Sequence, residues 1–203
     1  TAVCTISDKD GGVSSSSAMV TVNSAPLPNG VCYAASVVSY SPGTRKNGKP
    51  LEAQFRDTSK ALGQQQANNT LNYVSLGFGN QSTTGVIVLN FGTKKILNQN
   101  GGAPDLKVWE TTEGGYGGSG AVSANTMGGN TVAQPETARV EASQDGVTWV
   151  VVGQVTSKSP LVNLGALPWA RYIRLTDVTS RLWQSNSANG FDLDAVQGFT
   201  CSE

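Results

Sequence analysis

Short apolar runs recur along the chain, rich in β-branched and aromatic residues and each closed by Gly, Asn, Asp or Pro. CTIS, AMVTV, ASVVSY, NYVSLGF, GVIVLNF, DLKVWE, ARVEAS, TWVVVGQV, YIRLTDV and FDLDAV all have this form, and the punctuation between them predicts turns. The pattern predicts an all-β chain of about eight to ten short strands, arranged as a sandwich or jelly roll. Only RDTSKALGQQQ has helical character. There Asp57 or Ser59 is placed to cap one short turn, which Gly63 ends.

Two stretches interrupt the pattern. NSAPLPNG, residues 23–30, carries two prolines and a glycine that stop continuous strand pairing. Residues 1–24 therefore read as a separate hairpin unit, 25–30 as a linker and 31–203 as one β-sandwich domain. Two strands cannot bury a core alone. Either the rest of that first unit precedes this sequence, or the hairpin packs on the main domain or on another subunit. The second stretch, TTEGGYGGSGAVSANTMGGN at residues 111–130, is too polar for the core and too long for a hairpin turn. It reads as a surface loop, serving either as an insertion or as a ligand or partner loop in which Tyr116 offers a stacking face.

Composition narrows the partners. The 203 residues are 38% hydrophobic, enough for a real core. Lys plus Arg and Asp plus Glu both number 14, and no basic run is present to neutralise a row of phosphates, which argues against nucleic acid and anionic membrane. No apolar run approaches the roughly 20 residues of a bilayer span. The N-terminal TAVCTISDKD lacks the basic and apolar regions of a signal peptide, so the chain reads as a mature or excised piece. A low charged content with abundant Gly, Ser, Thr and Asn fits a secreted or cell-surface β protein. Cys4, Cys32 and Cys201 are too far apart for a zinc cluster, and there is no histidine to complete one. A Cys32–Cys201 disulfide pinning the first strand of the main domain to its last is the expected arrangement, with Cys4 unpaired or bonded elsewhere.

The absence of histidine removes Ser-His and Cys-His nucleophiles and imidazole metal sites. Ser-x-x-Lys, G-x-G-x-x-G and P-loop patterns are also missing. A paired-carboxylate glycosidase is the enzyme class that survives, with Glu110, Glu113, Asp192 and Asp194 as its available acids.

Those acids suit a hard cation better. Ca²⁺ takes 6–8 oxygen ligands, and the chain is rich in Asp, Asn and Gly turns. In NGFDLDAVQGFTC, residues 189–201, the spacing of Asp192 and Asp194 predicts both carboxylates on one face of a strand. Two like charges there call for a cation, or for a solvated face. In PDLKVWE, Asp105 stands at the strand's start, and Glu110 shares the face of Leu106 and Val108. RDTSKALG adds Asp57 and Ser59 in a turn. DKDGG lacks the remaining ligands of a calcium loop, so Asp8 and Asp10 read as turn formers.

Two resemblances are carried by these motifs. CTISDKDGGVSSSSAMVTV is similar to the closing hairpin of a polycystic-kidney-disease (PKD) type immunoglobulin-like domain. In order, RDTSKALGQQQ, NYVSLGFGN, GVIVLNF, PDLKVWE, ARVEASQDGVTWVVVG, ARYIRLTDV and GFDLDAVQGF resemble a domain of bacterial cell-surface and secreted proteins, a branch of the galactose-binding-like (discoidin-like) jelly rolls. That likeness covers about residues 31–201. It implies a non-catalytic binding module, for carbohydrate or adhesion, often with a structural calcium. The family's acidic positions fall on Asp57, Glu110, Asp192 and Asp194, with Asp105 less secure. The chain departs from the pattern where NQSTTG breaks the glycine pair after VSLGFG, and where the Gly-rich stretch after VWE is lengthened.

Trp183, in TSRLWQSNSANG, stands either as a sugar-stacking platform or folded over the barrel edge; Trp149 and Trp169 read as core. The expectation is a calcium-stabilised extracellular module that binds glycans or mediates adhesion and is not an enzyme. A structural subunit of a fibre or surface layer, self-associating through residues 1–24, is the alternative. A polysaccharide-degrading enzyme is the third.

Overall fold

The computed structural model describes residues 2–7, 13–18, 30–66, 72–79, 84–111, 135–156, 158–184 and 186–203, of which residues 2–7, residues 13–18 and Trp183 are described by backbone alone. Strands β1 (Ala2–Ser7) and β2 (Val13–Ala18) pair with each other as a two-stranded antiparallel sheet, Cys4 opposite Ser16. Then come β3 (Gly30–Tyr33), β4 (Ser36–Ser41), β5 (Val74–Ser75), β6 (Val86–Asn90), β7 (Lys95–Leu97), β8 (Leu106–Glu110), β9 (Thr137–Ser143) and β10 (Val150–Thr156). The chain closes with β11 (Leu161–Val162), β12 (Trp169–Ala170), β13 (Tyr172–Asp177) and β14 (Asp192–Ser202).

Two antiparallel sheets make the body. One has five strands in the order β10-β9-β13-β6-β4. The other has seven: β11-β8-β14-β7-β12, with β3 and β5 also paired to β14. Alternation decides what lies between them. In β9, β13 and β6 the inward positions are Ala138, Val140, Ala142, Ile173, Leu175, Ile87 and Leu89, all buried. Leu106, Val108, Ile96, Leu193 and Val196 of the second sheet join the same core. Each fully buried Leu, Ile or Phe contributes roughly 1.5–3 kcal/mol, which gives this face its register.

The seven-stranded sheet is organised by β14. Its eleven residues pair with β3, β5, β7 and β8, and Cys32 of β3 is bonded to Cys201 of β14, their Cα atoms 6.0 Å apart. The expected disulfide is thus present. It fits because residue 198 is glycine: a Cβ there would come within 2.8 Å of Cys201 Sγ and 2.9 Å of Ile96. Gly77, in the VSLGFG run, has φ +77° and packs directly on Gly43, where a side chain would meet backbone 2.8 Å away.

The predicted short turn is also present, as a 3₁₀ helix over Thr58–Ala61 with Asp57 as its N-cap. β2 lies at Val13–Ala18, and residues 19–22 of the expected AMVTV strand lie outside the described residues. β7, β11 and β12 are too short to show alternation in the sequence. One expectation is corrected. Trp149 and Trp169 are half-buried and outside the core cluster. Trp169 alternates with the inward Ala170 in β12, and Trp149 stands ahead of the edge strand β10. Each ring carries a cation instead: Arg174 is 4.4 Å from the Trp149 centroid and Lys95 is 5.0 Å from that of Trp169. Among the described residues no helix is long and apolar enough to cross a membrane.

Candidate functional site: a group of mutually acting acids

Three carboxylates come together where β8 ends, β9 begins and β14 begins. Glu110 closes β8 in register with Leu193. Its parity is that of Leu106 and Val108, as the sequence implied, so the chain carries it inward, where it is 3% exposed. Glu136 immediately precedes β9 and has the parity of the inward Ala138, Val140 and Ala142. Asp192 opens β14 opposite Ser75, whose hydroxyl donates to Asp192 Oδ1 at 2.5 Å.

Aromatic side chains border the group. The Tyr40 hydroxyl donates to the backbone oxygen of Ser75 at 2.6 Å. Tyr73 stacks on Phe55 with ring centroids 5.1 Å apart and planes 10° from parallel. Burial raises both phenols, and the negative charge of Asp192 adds to the rise in each. The carboxylates of Glu136, Glu52 and Glu110 also act on Tyr73, while Arg56 pulls Tyr40 the other way.

The electrostatics inside are unfavourable to charge. Desolvation pushes the Glu136 carboxyl well above the usual carboxylate range, and Asp192, Glu110 and Asp177 push it further. Asp192 is raised for the same first reason, opposed by its Ser75 bond and reinforced by Glu110 and Asp177. Glu136 Oε2 is sealed from solvent and has no hydrogen-bond partner. A buried acceptor in that state ordinarily costs about 1–3 kcal/mol.

The acids singled out in the sequence do not all arrive here. Glu110 and Asp192 do. Asp194 sits at an irregularity between Leu193 and Ala195, where β14 takes one more residue than β8. The alternation that predicted a shared face for Asp192 and Asp194 is interrupted, and the two carboxylates engage different partners. Asp194 accepts the N–H of Gln66 at 3.2 Å, and burial lifts it to about 6 against the pull of that bond. Asp57 is exposed, accepting from the hydroxyl of Ser59 at 2.6 Å and its N–H at 3.1 Å, which lower its pKa. Asp105 is buried at the far end of β8. It accepts the N–H of Gln99 and of Leu164, both at 2.8 Å, and so ties two loops together. Among the described residues no set of three or more acidic or sulfur side chains stands ready as a metal cage.

Sequence reasoning passed over Glu136 and Asp177, although the signal was there. Both share parity with inward apolar neighbours, Asp177 with Ile173 and Leu175. That rule had already singled out Glu110. Tyr116 and Glu113 lie outside the described residues, as do Asp8, Asp10 and most of the Gly-rich stretch. Trp183 ends a 3₁₀ turn, Arg181–Trp183. The group thus combines hard oxygen donors, a serine hydroxyl and two tyrosines. Comparison with protein-family models and with curated proteins finds no match for this chain.

Proposed function

We propose that this chain is a non-catalytic, calcium-stabilised binding module of a bacterial surface or secreted protein, built on a galactose-binding-like jelly roll and engaging glycans or mediating adhesion. The observation that carries the reading is the group of mutually acting acids on a disulfide-pinned scaffold. Its carboxylates are desolvated and supplied with oxygen donors, yet no histidine is available to make a nucleophile of Ser75. The disulfide favours an oxidising compartment.

Of the residues implied by the resemblance, Glu110 and Asp192 are the two that act on each other electrostatically, which supports them as holders of a cation. Asp57, Asp105 and Asp194 are engaged by backbone N–H groups. A calcium ion bound there would neutralise like charges and stabilise the scaffold. Recognition is assigned to the polar loops, with Trp183 and Tyr116 as stacking residues. A glycan array tests that half: binding above background that is lost on Trp183→Ala or on deletion of residues 113–129 supports it, and silence across broad arrays counts against it.

A fibre or surface-layer subunit is the second reading, favoured by β1 and β2 forming a two-stranded sheet of their own. A monomeric particle by size-exclusion chromatography, with and without residues 1–24, argues against it. Raised carboxyls beside one another also suit a general acid, so a reducing-sugar release assay on polysaccharides tests the third reading.

A further inference from the structure

We propose that the side of the sandwich formed by β10 and β11 is a docking surface for a second copy of this chain, which joins it edge to edge as a two-fold dimer. β10 ends the five-stranded sheet and β11 ends the seven-stranded one. A bridge between Thr156 and Ser159 turns the chain from one to the other, so the two terminal strands lie side by side. An end strand presents unpaired backbone groups, and natural edges are ordinarily shielded by charge or proline. The sequence from Gly146 to Ser157 has neither. Val147, Val151 and Leu161 are 81%, 60% and 49% exposed, and Val150 is exposed beside them. This surface calls on none of the residues assigned above to calcium, to glycan or to the N-terminal strands.

The charges at its two ends set what fits it. Asp145 precedes β10 and is exposed, with the N–H groups of Thr148 and Val147 each donating to it at 2.8 Å. Those bonds hold its carboxyl below the usual carboxylate range and fix its place. Lys158 follows β10, is also exposed, and forms no ion pair among the described residues. Asp145 stands as far before Val151 as Lys158 stands after Val152. A two-fold axis between those valines therefore sets Asp145 of each copy against Lys158 of the other, on both sides of the axis. Along the strand itself no like charges meet. An unrelated strand has no reason to carry this pattern, whereas a second copy run antiparallel supplies it by symmetry. The irregularity between Val151 and Gly153 interrupts a regular ladder, so apolar side chains carry most of the contact. Val147, Val150 and Val151 leave water together, with Leu161 at the rim. An isologous contact uses the same edge on both partners, and assembly stops at two.

The experiment uses the full chain in a Cys4→Ser background, so that no intermolecular disulfide mimics the contact, and follows mass by sedimentation equilibrium over a range of concentrations. The parent protein is expected to pass from monomer to dimer as concentration rises, with no larger species. Val151→Lys sets like charges against each other at the axis and should abolish the dimer; because residue 151 is exposed, the melting temperature of the monomer should stay unchanged. Lys158→Glu sets an acid against Asp145 and should weaken dimerisation about tenfold. Leu182→Lys, at an exposed residue of the Arg181–Trp183 turn, should leave the affinity unchanged. A parent protein that is monomeric at every concentration overturns the proposal. A dimer that keeps its affinity in both Val151→Lys and Lys158→Glu also overturns it, since the contact then lies elsewhere, and the calcium and glycan readings are untouched by that result.

Discussion

Asp177, the last residue of β13, accepts the backbone N–H of Phe191 at 2.8 Å, so the end of one sheet holds the residue that leads into the last strand of the other. Its second oxygen accepts the N–H of Thr179 at 2.7 Å. Asp177→Ala leaves both buried donors without a partner and is expected to cost about 3 kcal/mol, measured by urea unfolding. Loss of less than about 0.5 kcal/mol would show that water replaces the carboxylate.

The same residue sets a pH dependence. Burial lifts Asp177 to about 6, against the opposing pull of its N–H bonds, from an ordinary value of 3.8. The folded state therefore holds this proton more tightly than the unfolded chain. Its contribution is complete below pH 3.8 and is lost as pH rises through about 6. The difference, 6 − 3.8, corresponds to at most roughly 3 kcal/mol. Unfolding free energies of metal-free protein measured at pH 4 and pH 7 should show this decline. Asp177→Asn should show less of it, and an equal slope in the variant counts against the assignment.

Asp105 looks like a ligand in sequence and acts as a brace in the fold. With Gln99 N–H and Leu164 N–H each donating to it at 2.8 Å, Asp105→Ala is expected to destabilise by about 2–4 kcal/mol. Its Ca²⁺ affinity should match that of wild type. A calorimetric titration showing a loss of affinity equal to that of Asp192→Asn would return Asp105 to the ligand set.

The disulfide closes a sequence separation of 169 residues, for which chain entropy alone gives a stabilisation of about 5 kcal/mol. Reduction, or Cys32→Ser with Cys201→Ser, should lower the denaturant midpoint accordingly. Gly198→Ala tests the packing around it. The added methyl collides with Cys201 Sγ and Ile96, so the variant should lose stability in the oxidised protein and less of it in the double serine background. Equal losses in the two backgrounds would mean that Ile96 alone sets the limit.

What was legible beforehand follows from periodicity. DLKVWE and ARVEAS alternate over enough residues that one face has to be buried, and Val108 and Val140 are; GVIVLNF is a continuous apolar run whose Ile87, Val88 and Leu89 are all buried. β7, β11 and β12 escape because two or three residues cannot display a period, and their pairing comes from neighbours distant in sequence. The DLD spacing misled for a related reason. An inserted residue in β14 breaks the alternation at Asp194, and nothing local to the sequence marks it.

The sequence by itself determined that the described domain is built from strands, that its inward faces are apolar with a few acids among them, and that its chemistry proceeds without histidine. Those properties depend on residue type and on a repeat of two. Only the tertiary structure decided which acids meet. Asp57, Asp105 and Asp194 are claimed by nearby N–H groups, whereas Glu110, Glu136 and Asp192, far apart in sequence, come near enough that Glu110 and Asp192 raise Glu136 and Glu110 raises Asp192. Electrostatic interaction acts through a few ångströms of space, and that proximity is fixed by the packing of two sheets.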